Sequence, residues 1–197
     1  MDLSKIETHL QKVIYPELEK GRPDWDKPHT EAVVYHMRHL MSNIEKAINK
    51  EVLLIAAYAH DWGYVDLFEE GKPLSNKDIS GSKTEHMIKG AEKVKELLED
   101  NFFNFLTEKQ KQRISHLVFV HDKLDLLKKT DELLLMEADT LGGLDVNFIK
   151  PTFDEKSNER YMQEVKRKRF KLFISKYGKK QFQTLYKLRE NYYKDNR

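Results

Sequence analysis

The sequence predicts an all-α protein, a single helical bundle closed by basic C-terminal helices. Three observations carry that reading. Apolar residues recur at helical spacing along nearly the whole chain, and the alternation of a half-buried strand appears nowhere. The stretch EVLLIAAYAHDW (Glu51–Trp62) is apolar almost all round, as befits the central buried helix of a bundle. Proline, glycine and capping residues punctuate the helical stretches where loops between helices are needed. At 197 residues the chain fits one domain. A domain of that size buries roughly 70% of its unfolded surface, so no disulfide or metal staple is required for folding.

The elements follow in order. Leu3, Ile6, Leu10, Val13 and Ile14 form the inner face of a first helix, which Pro16 and the GRPDWDKP stretch are expected to break. Pro28 suits the first turn of a second helix, whose inner face runs through His29, Val33, His36, Met37, Leu40, Ile44 and Ile48. The third helix is Glu51–Trp62. Residues 63–81 read as a loop containing Gly71, Pro73 and Gly81. A fourth helix starts near Ser82 with Met87, Ala91, Val94 and Leu98 inward. Thr107 with Gln110 makes a capping box for a fifth, with Ile114, Leu117, Val118 and His121 on one face. Asp131 can cap the sixth, ELLLMEADTL, expected to stop at Gly142-Gly143. Two basic helices, near 158–177 and 179–194, are expected to join at Gly178.

Composition narrows the possible functions. There is no cysteine, which excludes thiolate metal sites, cysteine nucleophiles and disulfides, and fits a reducing compartment. No stretch approaches the ~20 apolar residues of a membrane span. The N-terminus lacks the basic-then-apolar layout of a signal peptide, so a cytoplasmic protein is expected. Net charge is only +2, yet residues 160–197 hold thirteen Lys and Arg against Glu164, Glu190 and Asp195. That tail reads as a solvated helical face, with a polyanion patch as the alternative.

Titratable residues in the apolar pattern point to chemistry. The chain has two His-Asp pairs, His60-Asp61 and His121-Asp122, about what chance allows, so the dipeptide itself carries little. Position carries more. His29, His60, His86 and His121 each fall on or beside the apolar stripe of four successive helices, and Asp139 lies at the inner end of a leucine-rich one. Buried imidazoles and acids are costly unless paired or metal-bound, and one shared ligand would account for all of them. Imidazole and carboxylate without sulfur suit Fe, Mn, Co, Ni or Zn rather than Mg or Ca. Neighbours such as His60 and Asp61 can both bind only near a helix end or if Asp61 reaches sideways, and an aspartate can bridge two ions. Such ions activate water as hydroxide and polarise a phosphoryl oxygen.

The ordered series His … His-Asp … Asp resembles the HD superfamily of metal-dependent phosphohydrolases. The matching pieces are DKPHTEAVV around His29, LLIAAYAHDWGY around His60-Asp61 and EADTLGGLD around Asp139, while SKTEHMIKGA (His86) and ISHLVFVHDKL (His121) resemble the extra histidines of its binuclear branch. The resemblance covers roughly residues 25–145 and leaves a helical extension at about 157–194. It implies an HD-type bundle in which His29, His60, Asp61 and Asp139 hold a first ion. Asp61 would bridge to a second, held by His86 and His121. His60 and Asp61 would be the pair on which catalysis depends. His36, on the same face as His29, is read as a core or supporting histidine, His116 as peripheral, and His9 and His39 as unrelated.

Many members read HD-[IL]-G-[KH], with a lysine that often contacts substrate, whereas Tyr64 stands at that place here. Tyr64, Lys72 and Lys83 are the candidate substrate contacts, Lys83 being one turn before His86; Lys77 is a further source of charge. The expected activity is hydrolysis of a phosphoester or phosphoanhydride in a small phosphorylated molecule, a nucleotide or similar, with one or two divalent transition-metal ions. Two alternatives stand beside it. The six-residue set also resembles that of di-iron myo-inositol oxygenase. The third reading is a metal-stabilised regulatory module whose KRKR run (Lys166–Arg169) binds nucleic acid; against it, Phe170, Phe173, Tyr177, Phe182 and Tyr186 recur at helical spacing, which suits packing rather than base stacking. The oligomeric state is left open.

Overall fold

The computed structural model describes residues 1–22, 24–65, 67, 81–152 and 154–195. Among them it contains eight α-helices and no strand. They are α1 (Leu3–Leu18), α2 (Asp26–Asn43), α3 (Lys50–Ala59), α4 (Lys83–Leu97), α5 (Glu108–Val120), α6 (Thr130–Leu144), α7 (Glu155–Lys168) and α8 (Lys176–Asp195), with short 3-10 turns at Trp62–Tyr64 and Phe170–Leu172 among the connections. No helix of the described residues is long and apolar enough to cross a membrane.

α3 is the axis of the bundle: every residue from Val52 to Ala59 is buried. α1, α2, α4, α5 and α6 surround it and supply Ile6, Leu10, Met37, Leu40, Val94, Leu117 and Leu134 to one continuous core. Each such side chain contributes about 1.5–3 kcal/mol on full burial. α2 and α6 approach closely, because a β-carbon on Gly142 would lie only 2.6 Å from Val33 Cγ2.

Local chemistry sets the helix ends. Asp2, Asn49 and Asp154 accept backbone N–H groups at the starts of α1, α3 and α7. The expected capping box at Thr107 forms, Gln110 N–H donating to Thr107 Oγ1 at 3.3 Å and Thr107 N–H to Gln110 Oε1 at 2.9 Å.

Several expected boundaries move. α1 continues through Pro16 to Leu18, which is buried against the core. α2 ends at Asn43, with Ile44 already extended and Ile44 and Ile48 packed on the core from outside the helix. α6 begins before Asp131 and runs through Gly142-Gly143, close packing on Val33 selecting glycine at 142. Its start is fixed by Glu132, whose Oε2 accepts Lys128 and Lys129 N–H at 2.8 and 2.9 Å and whose Oε1 accepts Arg113 of α5 at 2.8 Å.

The joint between the two basic helices lies at 169–175, not at Gly178. Glu137 of α6 is the cause: its carboxylate accepts the N–H groups of Ile174 and Ser175 and the Ser175 hydroxyl, pinning the chain just ahead of α8. Gly178 falls in the first turn of α8, where a β-carbon would lie 2.2 Å from Glu137 Oε2. Fully buried Arg189 donates to Asn158 Oδ1 at 2.8 Å and to the Gly143 carbonyl at 2.6 Å, tying α8 to α7 and α6. Phe170 stacks on Phe182 at 4.3 Å in a second apolar cluster with Phe173, Val165 and Leu144.

Glu132 makes the joint between α5 and α6 testable. Burial pushes its carboxyl up, but the Lys129 and Lys128 N–H groups and the Arg113 guanidinium outweigh that and bring it down to about 2 from an ordinary 4.5. A depressed carboxylate stabilises the fold fully above its unfolded pKa and loses that contribution as pH falls toward its folded one. Glu132→Gln is expected to cost about 2 kcal/mol at neutral pH. Urea unfolding at a series of pH values should show the gap to wild type closing progressively below about pH 4.5. A gap independent of pH would contradict the assignment.

Candidate metal centre

The six singled-out residues come from five helices that meet at one point. His29 lies in the first turn of α2, His86 in the first turn of α4 and Asp139 on α6. His60 and His121 are the C-terminal caps of α3 and α5. α3 stops at Ala59, and Asp61 takes φ −103° and ψ 4°, outside the helical register. That turn lets two neighbouring side chains face the same space. Gly63 makes it possible: the following 3-10 turn rests against α4 so closely that a β-carbon there would lie 1.9 Å from the His86 carbonyl oxygen and 2.5 Å from Gly90 N. Gly90 completes the approach, its own β-carbon position lying 3.1 Å from Val118 Cγ1 and 3.3 Å from Gly63 N.

At the meeting point the carboxylate of Asp61 lies between two pairs of imidazoles. Its Oδ2 is 3.6 Å from His29 Nε2 and 3.7 Å from His60 Nε2. Its Oδ1 is 3.6 Å from His86 Nε2 and 3.5 Å from His121 Nε2. Within each pair the ring nitrogens nearly touch, at 3.2 Å for His29 and His60 and 3.3 Å for His86 and His121. Asp139 Oδ1 closes the first pair, 3.1 Å from His29 Nε2 and 3.9 Å from His60 Nε2. Two groups, His29–His60–Asp61 and Asp61–His86–His121, therefore present donor atoms that could each hold a metal ion.

The chemistry of the donors fits that reading. His60 Nδ1–H donates to the Ala57 carbonyl at 2.9 Å and His121 Nδ1–H to the Val118 carbonyl at 2.7 Å. Each ring proton is thereby held on the far side, and the Nε2 lone pair faces the centre. Burial drives His60 and His86 down to about 4, so both imidazoles are neutral near pH 7. Burial lowers His121 too, but its bond to Asp61 outweighs this and the net shift is upward. Burial would raise the carboxyl of Asp61, yet His60, His121 and Arg22 hold it well below the usual range. For Asp139, Arg169 and His29 overcome burial in the same way. The neutral imidazoles of His60 and His86 beside the ionised carboxylates of Asp61 and Asp139 form a cation-seeking site without sulfur, which matches borderline divalent metals.

Sequence reasoning missed the two arginines that steady these carboxylates. Arg22, on the turn before α2, donates to Asp26 through Nε at 2.6 Å and to Asp61 Oδ2 through Nη2 at 2.8 Å. Arg169, just past α7, donates to Asp139 Oδ2 and lies 3.3 Å from Asp122 Oδ1. Arg22 sits in an aperiodic turn that gives no pattern to read. A signal for Arg169 did exist: with Asn158, Met162 and Val165 it continues the buried stripe of α7, whereas Lys166, Arg167 and Lys168 are exposed.

The candidate substrate contacts have different surroundings. Lys83 Nζ pairs with Asp122 Oδ2 at 3.0 Å and is largely exposed. Tyr64 is buried, its ring stacked on His86 at 3.9 Å with the Arg22 guanidinium 3.8 Å away over its ring. Lys72 and Lys77 lie outside the described residues. His36 is buried and contacts Asp145 Oδ2 at 3.0 Å, His116 contacts Glu132 at the surface, His9 stacks on Phe102 and His39 on Tyr177.

A comparison with protein families gives a match to the HD domain over residues 28–146, a span that holds all six residues of the centre and leaves Arg22 and Arg169 outside it. No curated protein and no solved structure matches the chain.

Gly63 allows a direct test of how the centre is positioned. Gly63→Ala puts a methyl group into the backbone of α4 and is expected to destabilise the fold by about 2–3 kcal/mol. Urea unfolding midpoints measure that loss, and elemental analysis should show reduced metal content because His86 is displaced from His121. Wild-type stability and metal content in this variant would contradict the close approach.

Proposed function

The chain belongs to the HD domain family, a superfamily of metal-dependent phosphohydrolases, and we propose that it hydrolyses a phosphoester or phosphoanhydride in a small phosphorylated molecule, nucleotides being the substrate class to test first. In this proposal His29, His60, Asp61 and Asp139 hold one divalent transition-metal ion, and Asp61, His86 and His121 hold a second. The observation that carries it is the division of one carboxylate, Asp61 turning Oδ2 toward one imidazole pair and Oδ1 toward the other.

Ions bound there would act as Lewis acids on a phosphoryl oxygen and bring the pKa of water toward neutrality. The protein's own groups prepare the site for that chemistry. Backbone carbonyls of Ala57 and Val118 fix the tautomers of His60 and His121. Tyr64 holds the ring of His86 from one face. Arg22 holds Asp61 Oδ2, and Arg169 holds Asp139 Oδ2, leaving Asp139 Oδ1 toward His29. Such supporting contacts around metal ligands commonly contribute tenfold to a hundredfold in affinity or activity.

Metal-replete wild-type protein is expected to release phosphate from members of a nucleotide and phosphoester panel. Asp61→Ala should lose both metal ions by elemental analysis and at least about a hundredfold of that turnover. Turnover that persists in Asp61→Ala, or its absence across the panel in fully loaded wild type, would contradict the proposal. Oxygen uptake by iron-loaded protein without phosphate release would shift the reading to an oxygenase.

A further inference from the structure

The centre is not equally closed on all sides. The side chains of His29, His60, His86 and His121 are no more than 4% exposed, whereas those of Asp139, Asp122 and Arg169 are 13–16% exposed and that of Lys83 is 56% exposed. Among the described residues the cluster is therefore most exposed along the edge formed by Asp139, Arg169, Asp122 and Lys83 in a chain of ion pairs. Asp122 links the two cations, one oxygen taking Lys83 and the other facing Arg169. The guanidinium of Arg169 also has spare capacity: its Nε–H is buried and has no acceptor among the described residues.

Charge counting gives this edge a role. Arg22, Arg169 and Lys83 stand against Asp26, Asp61, Asp122 and Asp139, one net negative charge among these seven side chains. Two divalent ions would reverse it to three positive charges. Once Asp139 is neutralised by metal, Arg169 holds its fork of donors at the open edge with less call on them from that carboxylate. Planar, bidentate donors of this kind match a phosphate better than an ammonium does.

We propose that Arg169, carried by the C-terminal extension outside the HD-matched span, is the phosphate-recognition residue of the centre, with Lys83 as its exposed partner, so that the phosphoryl group enters along the Asp139–Asp122 edge. The inference rests on the metal-dependent phosphohydrolase reading for its ligand class. The run KRKR thus divides in function: three solvated cations, and a fourth turned inward to the site.

The test uses full-length protein loaded with one metal, its content verified by elemental analysis, and inorganic phosphate as the calorimetric probe. Arg169→Ala, brought to wild-type metal content by added metal because Arg169 also holds Asp139, is expected to weaken phosphate binding about tenfold to a hundredfold, with Lys83→Ala losing less. Arg169→Lys should fall between wild type and Arg169→Ala, and it carries the test if the alanine variant does not fold. On any substrate turned over, the loss should appear mainly in KM. Unchanged phosphate affinity in metal-loaded Arg169→Ala or Arg169→Lys would overturn the inference, as would no phosphate binding by loaded wild type. Loss of metal with normal phosphate affinity in the loaded fraction would reduce Arg169 to a support for Asp139 and overturn it equally. Phosphate binding without turnover would refute the proposed hydrolysis and leave the recognition role standing.

Discussion

One buried carboxylate, shared between two pairs of imidazoles, is the constraint on which the rest of the structure depends. Asp61 can face all four histidines only because α3 ends one residue before His60 and the chain turns at once against α4. That turn needs glycine at 63 and close helix packing at 90, and these in turn fix where α4 and α5 lie. The apolar run of α3 is therefore not at odds with the polar pair at its end. It anchors the pair at the one place where five helices can converge.

Such a cluster is expensive to bury, since ionised acids and lone-pair-bearing rings lose water without finding full hydrogen-bond partners. The protein offsets part of that cost with two arginines, one on Asp61 and Asp26, the other on Asp139 and Asp122. Both come from segments that flank the family-matched span, so the flanking parts of the chain complete the electrostatics of the site. Glu137 and Arg189 then explain why the C-terminal helices lie where they do, because those two buried groups lock the segment that carries Arg169 against α6.

The helical class and most of the bundle were legible in the sequence because burial on one helical face leaves a period in the residues. His29, His60, His86, His121 and Asp139 were visible for the same reason, as polar interruptions of apolar stripes. Where a residue lies outside that period, its role leaves no mark in the sequence. Arg22 sits in an aperiodic turn, and the C-terminal ends of α2 and α6 depend on tertiary packing rather than on capping residues. Gly178 looked like a joint, yet its lack of a side chain serves packing against Glu137. Arg169 was hidden by composition: three exposed basic neighbours made the whole run look solvated, although its register on α7 places it on the buried face.

The most direct measurement is anomalous diffraction from crystals of the protein loaded with manganese or iron. Two peaks are expected, one on each oxygen of Asp61, the first also within bonding distance of His29, His60 and Asp139 and the second of His86 and His121. A single peak that leaves either imidazole pair without metal, or peaks away from Asp61 altogether, would contradict the shared-carboxylate centre.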